Sequence, residues 1–280
     1  MHHQIYSNKT NPSAQWIVLL HGIGGNSKIW YKQLKYLKKQ FNVLAIDLPG
    51  HFPNPEIEEW NNDYSFNQCA DMIIDVLDKH VISKAHFMGI SLGSVIIHNL
   101  IKRYEMRVET AVLGGMILRF NSFSKSLLFL GGMLKRFVPY MWLYTLFAHI
   151  MMPKNNHKQS RSMFIKEARK MWKESFYKWY ELTKEVKATS IDIEKSTVPR
   201  LYISGSEDHL FIKEIKKHLP NDPNGRLIEL DDCGHVCNME KSEEFNHYAV
   251  AFLKHNFNNN SLASISKKAV VFPAVKVEGA

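Results

Sequence analysis

One segment constrains the fold more than any other part of this 280-residue chain: Lys84-Ala85-His86-Phe87-Met88-Gly89-Ile90-Ser91-Leu92-Gly93-Ser94-Val95-Ile96-Ile97-His98. A short apolar run of strand length leads into Gly89-Ile90-Ser91-Leu92-Gly93, a G-x-S-x-G pattern, and then into helical periodicity. A chain that passes from strand to helix at a single serine turns sharply, so the side chains beside the turn must be small. Gly89 and Gly93 meet that need. The turn lifts the Ser91 hydroxyl to the edge of a sheet and sets the Leu92 N–H at the positive end of the following helix, where a developing oxyanion can be met. Any Gly-rich turn matches five letters by chance; the strand before and the helix after make Ser91 a candidate nucleophile.

The same alternation recurs on both sides. Gln15–Leu20 is a continuous apolar run ending at His21-Gly22-Ile23-Gly24-Gly25. Trp30, Leu34 and Leu37 then repeat at helical spacing, and Phe41–Ile46 returns as a strand before Asp47-Leu48-Pro49-Gly50-His51. Phe66, Cys69, Ala70, Ile73, Val76 and Leu77 trace one helix face, and Val108–Leu113 is strand-like again. Strands buried on both faces and alternating with helices predict an α/β fold with a mostly parallel, doubly wound sheet. Between Phe120 and Ala188 the rhythm breaks into a Met- and aromatic-rich stretch without a clear strand. Gly131-Gly132, Lys135-Arg136 and Pro139 interrupt it well short of the roughly 18 apolar residues of a membrane helix. The sheet resumes at Val198–Gly205 and Arg226–Leu230, and a last helix runs from about Ser242 to Asn256. The expectation is a core at 1–119 and 189–256 enclosing a helical cap at 120–188. The tail 257–280 reads equally as a docked edge strand or a disordered end.

Composition excludes less. With 45% hydrophobic and 22% charged residues the chain is an ordinary folded globular protein. A formal charge of +9 comes with no nucleic-acid motif, and its Lys and Arg read as solvated helix faces, densest between Lys154 and Lys187; attraction to an anionic membrane surface is the minor alternative. Cys69, Cys233 and Cys237 are odd in number, and Met1-His2-His3-Gln4 opens no secretory signal, so a cytoplasmic protein with reduced thiols is expected. Cys233 and Cys237 flank His235 but lack a separated second ligand pair, so no metal and no other cofactor is expected.

Ser91 needs a base, because a serine hydroxyl is protonated near neutrality, and the base needs an acid to fix its tautomer. Both follow late strands. Asp208 comes after Gly205-Ser206-Glu207, and His235 after Asp231-Asp232-Cys233-Gly234. Asp231 and Asp232 compete for the acid's role but read better as turn residues. The chain resembles the α/β-hydrolases of the esterase, enol-lactonase and haloperoxidase-like group over roughly Ile17 to Lys254. The matching stretches are His21-Gly22-Ile23-Gly24-Gly25 with Trp30, Asp47-Leu48-Pro49-Gly50-His51, Tyr64-Ser65-Phe66, the Ser91 turn, Gly205-Ser206-Glu207-Asp208 and Gly234-His235. The resemblance implies an oxyanion hole built from the backbone N–H groups of Ile23 and Leu92. Phe52 stands where the group usually has Gly, and Ile90 where it has His or Gln, which affects substrate range more than chemistry. The function expected is a carboxylesterase or lipase-like serine hydrolase with catalytic Ser91, His235 and Asp208, acting on a small-molecule ester with a hydrophobic acyl or alkyl part. The same residues also serve lactone, thioester and C–C bond hydrolysis, and a non-catalytic binding or signalling module is the reading from another class.

Overall fold

In the computed structural model the structure describes residues 1–57, 64–191 and 195–255; the tail 257–280 lies outside the described residues. The apolar runs become strands whose alternate residues face two different cores. Val18 and Leu20 of β2 (Trp16–Leu20) pack with Leu44 and Ile46 of β3 (Asn42–Ile46) on one side of the sheet. Ile17, Leu19, Val43 and Ala45 pack on the other. A period of two with both faces apolar is the signature of a sheet covered by helices on each side. On the first face lie α2 (Phe66–Lys79) and α3 (Leu92–Tyr104). On the second lie α1 (Tyr31–Leu37) and α10 (Ser242–His255), with Trp30, Leu37, Phe245 and Phe252 buried between them and the strands.

Among the described residues seven strands form one sheet in the order β1-β3-β2-β4-β5-β6-β7, where β1 is His3–Tyr6, β4 Ala85–Ile90, β5 Val108–Gly114, β6 Arg200–Gly205 and β7 Gly225–Leu230. All neighbours run parallel except β1, which pairs antiparallel with β3, His3 opposite Ile46. Periodicity did not announce β1. It is a half-exposed edge strand held by ladder hydrogen bonds rather than by apolar burial, so it leaves little pattern to read.

From β2 the chain moves outward to β3, then returns across β2 to β4, so winding direction reverses between β2 and β4. Such a reversal opens a crevice at the carboxyl ends of the two strands, because the loops leave in opposite directions. The loop His21–Gly25 and Ser91 both sit there. Between β5 and β6 come α4 (Ser122–Leu134), α5 (Tyr140–Met151), α6 (Lys158–Ala168) and α7 (Lys173–Thr183). They tie to loops at the carboxyl ends of the strands: Trp179 Nε1 donates to the Pro49 carbonyl, Tyr144 Oη to that of Ile23, and Asn26 Nδ2 to Glu167. The short α8 (Ile212–His218) and α9 (Cys237–Glu240), which the sequence did not signal, follow the loops that carry Asp208 and His235.

Candidate active site

Ser91 stands between β4 and α3 with φ 54° and ψ −116°, a conformation that an L residue rarely adopts. Hydrogen bonds on both sides hold it there. Its N–H donates to the Gly114 carbonyl at 2.8 Å, and its own carbonyl accepts from Ser94 at 2.9 Å and Val95 at 3.2 Å as α3 begins. The flanking glycines are required by close approach. A Cβ on Gly89 would stand 2.6 Å from the Gly93 carbonyl carbon, and one on Gly93 would run into the backbone oxygen of Leu20.

Two other loops bring their residues to this turn. His235 Nε2 lies 2.9 Å from Ser91 Oγ, and His235 Nδ1 lies 2.9 Å from Asp208 Oδ2. A carboxylate only accepts, so Nδ1 carries the proton and Nε2 is left to accept from the serine hydroxyl. All three side chains are buried. Burial alone depresses the imidazolium of His235, but the charge and hydrogen bond of Asp208, helped by Glu240, more than offset it and raise the pKa above the usual histidine value. Asp231 and Asp232 do not join this chain of hydrogen bonds. Both are exposed, and Asp232 sits at a turn with φ 51°.

The loop after β2 is held by two buried histidines. His21 accepts from the Leu48 N–H at Nε2 and donates to the Gly22 carbonyl from Nδ1. His51 accepts from the Gly24 N–H at Nε2 and donates to the Pro49 carbonyl from Nδ1. Burial lowers both pKa values, further for His51 because His21 lies beside it, which keeps both rings neutral and able to accept. Gly22 consequently lies against Ser91, where an added Cβ would be 3.3 Å from the serine Cβ. Among the described residues neither the Ile23 nor the Leu92 N–H is taken up by a protein acceptor.

Above Ser91 lies an apolar cavity of about 110 Å³, lined by Ile23 and Phe211 and, from α4–α7, by Leu128, Tyr144, Phe147 and Phe176. A much larger open groove of about 920 Å³ between α4 and α7 shares Phe120 and Leu128 with it but does not reach Ser91. Volume and reactive groups therefore point to different places, and the reactive groups decide. No group of three or more His, Cys, Asp or Glu is arranged to hold a metal among the described residues. The three cysteines are free and buried, and burial raises their thiol pKa values, that of Cys69 to about 12.

The family model for the alpha/beta hydrolase fold matches residues 15–141. The enol-lactonase from Burkholderia xenovorans LB400 superposes with a TM-score of 0.76 at 23% identity, covering 91% of this chain and 96% of that one. An esterase from Exiguobacterium antarcticum gives 0.75 at 16%, covering 90% and 95%. The chain has the α/β-hydrolase fold. Among its relatives, an uncharacterized hydrolase of Bacillus subtilis, YugF, is 24% identical over 89% of this chain and 93% of its own. The (E)-2-((N-methylformamido)methylene)succinate hydrolase of Acinetobacter baylyi is 28% identical, but the match spans 37% of this chain and 38% of that protein.

Sequence reasoning missed the residues that hold this site in place. His157, between α5 and α6, is fully buried with Nε2 2.7 Å from Glu207 Oε2 and 3.7 Å from Glu240 Oε2. Glu207 precedes Asp208, and Glu240 accepts from the Gly234 N–H next to His235. Nothing in the local sequence marks His157, because its partners lie 50 and 83 residues away. Tyr144, whose hydroxyl donates to the Ile23 carbonyl at 2.9 Å, looked like one more apolar residue of its helix.

Proposed function

We propose that the protein is a serine hydrolase of carboxylic esters that works through an acyl-enzyme. The observation that carries this reading is the continuous line from Ser91 Oγ to His235 to Asp208, each step 2.9 Å, beneath an apolar cavity. Ser91 attacks the ester carbonyl while His235 takes its proton, and Asp208 keeps the imidazole in the required tautomer. The N–H groups of Ile23 and Leu92 stabilise the oxyanion; the Gly22–Ile23 peptide that carries the first is held at the Gly22 carbonyl by His21 Nδ1 and the Gly25 N–H, and the peptide after it by Tyr144 on the Ile23 carbonyl and His51 on the Gly24 N–H. His235 returns the proton to the leaving alcohol, then activates water to release the acid. The four helices between β5 and β6 serve as a cap whose inner face receives the acyl chain. No step needs a metal or organic cofactor.

The names of the relatives support a hydrolase, and the apolar cavity above Ser91 supports the ester reading. A fluorophosphonate probe is expected to add one label per chain, lost in Ser91→Ala. Labelling that survives the substitution, with the fold intact by circular dichroism, overturns the assignment.

A further inference from the structure

The formal charge of the chain is not spread over it. Residues 120–188 hold thirteen Lys and Arg against four Glu, a net +9, which is the charge of the whole protein. The remaining 23 basic and 23 acidic residues cancel. The insertion between β5 and β6 is therefore a cationic body mounted on a core, 1–119 and 189–256, whose 20 basic and 22 acidic residues nearly cancel.

The same insertion carries the apolar surface. Half of the large apolar side chains that stand exposed among the described residues fall between Phe123 and Leu146. Phe123, Phe129 and Met133 lie on α4, Phe137 just beyond its end, and Trp142 and Leu146 one turn apart on α5; Phe137 is 83% exposed and Trp142 71%. In contrast, Ser124, Leu127 and Leu128 of α4 face the cavity above Ser91. So α4 carries large exposed apolar side chains, Phe129, Leu130 and Met133, away from its cavity-facing side, interspersed with exposed Ser122, Lys125 and Ser126. An apolar patch of that kind, rimmed by polar and cationic residues, marks a surface that another phase or molecule covers.

Lys125 lies between Phe123 and Phe129 in sequence, and Arg136 adjoins Phe137. The open groove beside α4 adds Lys187, while Arg119, Lys135 and Lys184 around Phe129 and Met133 are ion-paired with Glu214 and Glu181, so Lys125, Arg136 and Lys187 supply the charge of this face. Large apolar groups interleaved with cations match a bilayer surface carrying negative headgroups, where rings enter the acyl boundary and cations remain at the phosphates. No helix among the described residues is long and apolar enough to cross a membrane, so this is contact in the plane of the surface.

We propose that the outer face of α4 and α5 docks on an anionic lipid surface, which places the groove and the adjoining cavity at the lipid boundary. The docking is independent of the catalytic reading, because its test measures binding alone. The full-length protein is mixed with vesicles of phosphatidylcholine, or of phosphatidylcholine with about one third phosphatidylserine, and the bound fraction is read by flotation. Binding is expected with the anionic vesicles, weakening as salt rises from about 0.1 to 0.5 M. Lys125→Gln and Arg136→Gln should each lower the partition coefficient roughly fivefold. The triple variant Phe129→Ser, Phe137→Ser, Trp142→Ser should lower it by at least about tenfold with an unchanged circular dichroism spectrum, since all three side chains are exposed. Should that variant fail to fold, brominated anionic lipid should quench tryptophan emission of the unmodified protein, and less so in Trp142→Phe. Equal binding to both vesicle types, no effect of the triple variant, or quenching untouched by Trp142→Phe overturns the proposal. So does absence of vesicle binding by a chain that light scattering shows to be a dimer, which would give the face to a second copy.

Discussion

His235 stands under opposed influences, and their balance has a measurable sign. Burial lowers its pKa, the Asp208 carboxylate raises it more, and the net is a value above the ordinary histidine range near 6.5. The imidazole acts as a base only when neutral, so kcat/KM should fall as pH drops through that raised value. Asp208→Asn removes both the charge and the tautomer control. The acid limb should then move to lower pH while turnover falls by up to about 10⁴-fold. Asp232→Asn is the matched control: its φ of 51° lies in the left-handed region that Asn tolerates, and its side chain takes no part in the line to His235. Its turnover should stay close to the unmodified rate. Steady-state kinetics across pH on the three proteins decides the matter, and a larger loss for Asp232→Asn would move the acid.

Between elements, two contacts determine whether the parts of the site meet. The first is where α3 leaves β4. Gly93 packs directly on the end of β2, and the obstruction is backbone rather than a side chain that can swing away. Gly93→Ala should therefore cost more than about 2 kcal/mol in denaturant unfolding, despite alanine's higher helix propensity. The second is the clamp around His157. Hydrogen bonds from Asn156 and Lys154, with His157, hold the Glu207 carboxyl down to about 2 against an ordinary 4.5. A depressed carboxylate pKa contributes stability above its unfolded value, and that contribution disappears as pH falls toward about 2. Glu207→Gln should lower Tm near pH 7, and the difference should close between about pH 4.5 and 2. Thermal melts of both proteins across that window test it; a gap that persists at the acid end means the clamp is not ionic.

At the scale of the whole molecule, the size of the space above Ser91 becomes a selectivity. About 110 Å³ is somewhat less than the roughly 150 Å³ of an apolar cavity that accepts benzene, so acyl chains of about four to six carbons should fill it. Each buried methylene contributes about 0.8 kcal/mol, so two more carbons should raise kcat/KM about tenfold. Nitrophenyl esters are expected to improve from acetate to about hexanoate and then level off. A preference for acetate would mean that α4 and α5 close the space during turnover, and would favour a small ester or lactone.

Much of this was legible in the chain itself. Apolar runs with a period of two on both faces specify a helix-covered parallel sheet, and a serine between strand and helix with glycine on each side specifies a sharp turn. These are local requirements, set by backbone geometry within a few residues, so Ser91 and the strand ends bearing Asp208 and His235 could be read in order. What local pattern does not carry is which distant groups meet. His157 finds Glu207 and Glu240, Tyr144 finds the Ile23 carbonyl, and His51 finds the Gly24 amide only when the switch between β2 and β4 and the helices over it bring them within hydrogen-bond reach. Charge shows the same division. The total of +9 is a property of composition, while its mounting beside the exposed rings of α4 and α5, over the carboxyl edge of the sheet, is decided by tertiary packing.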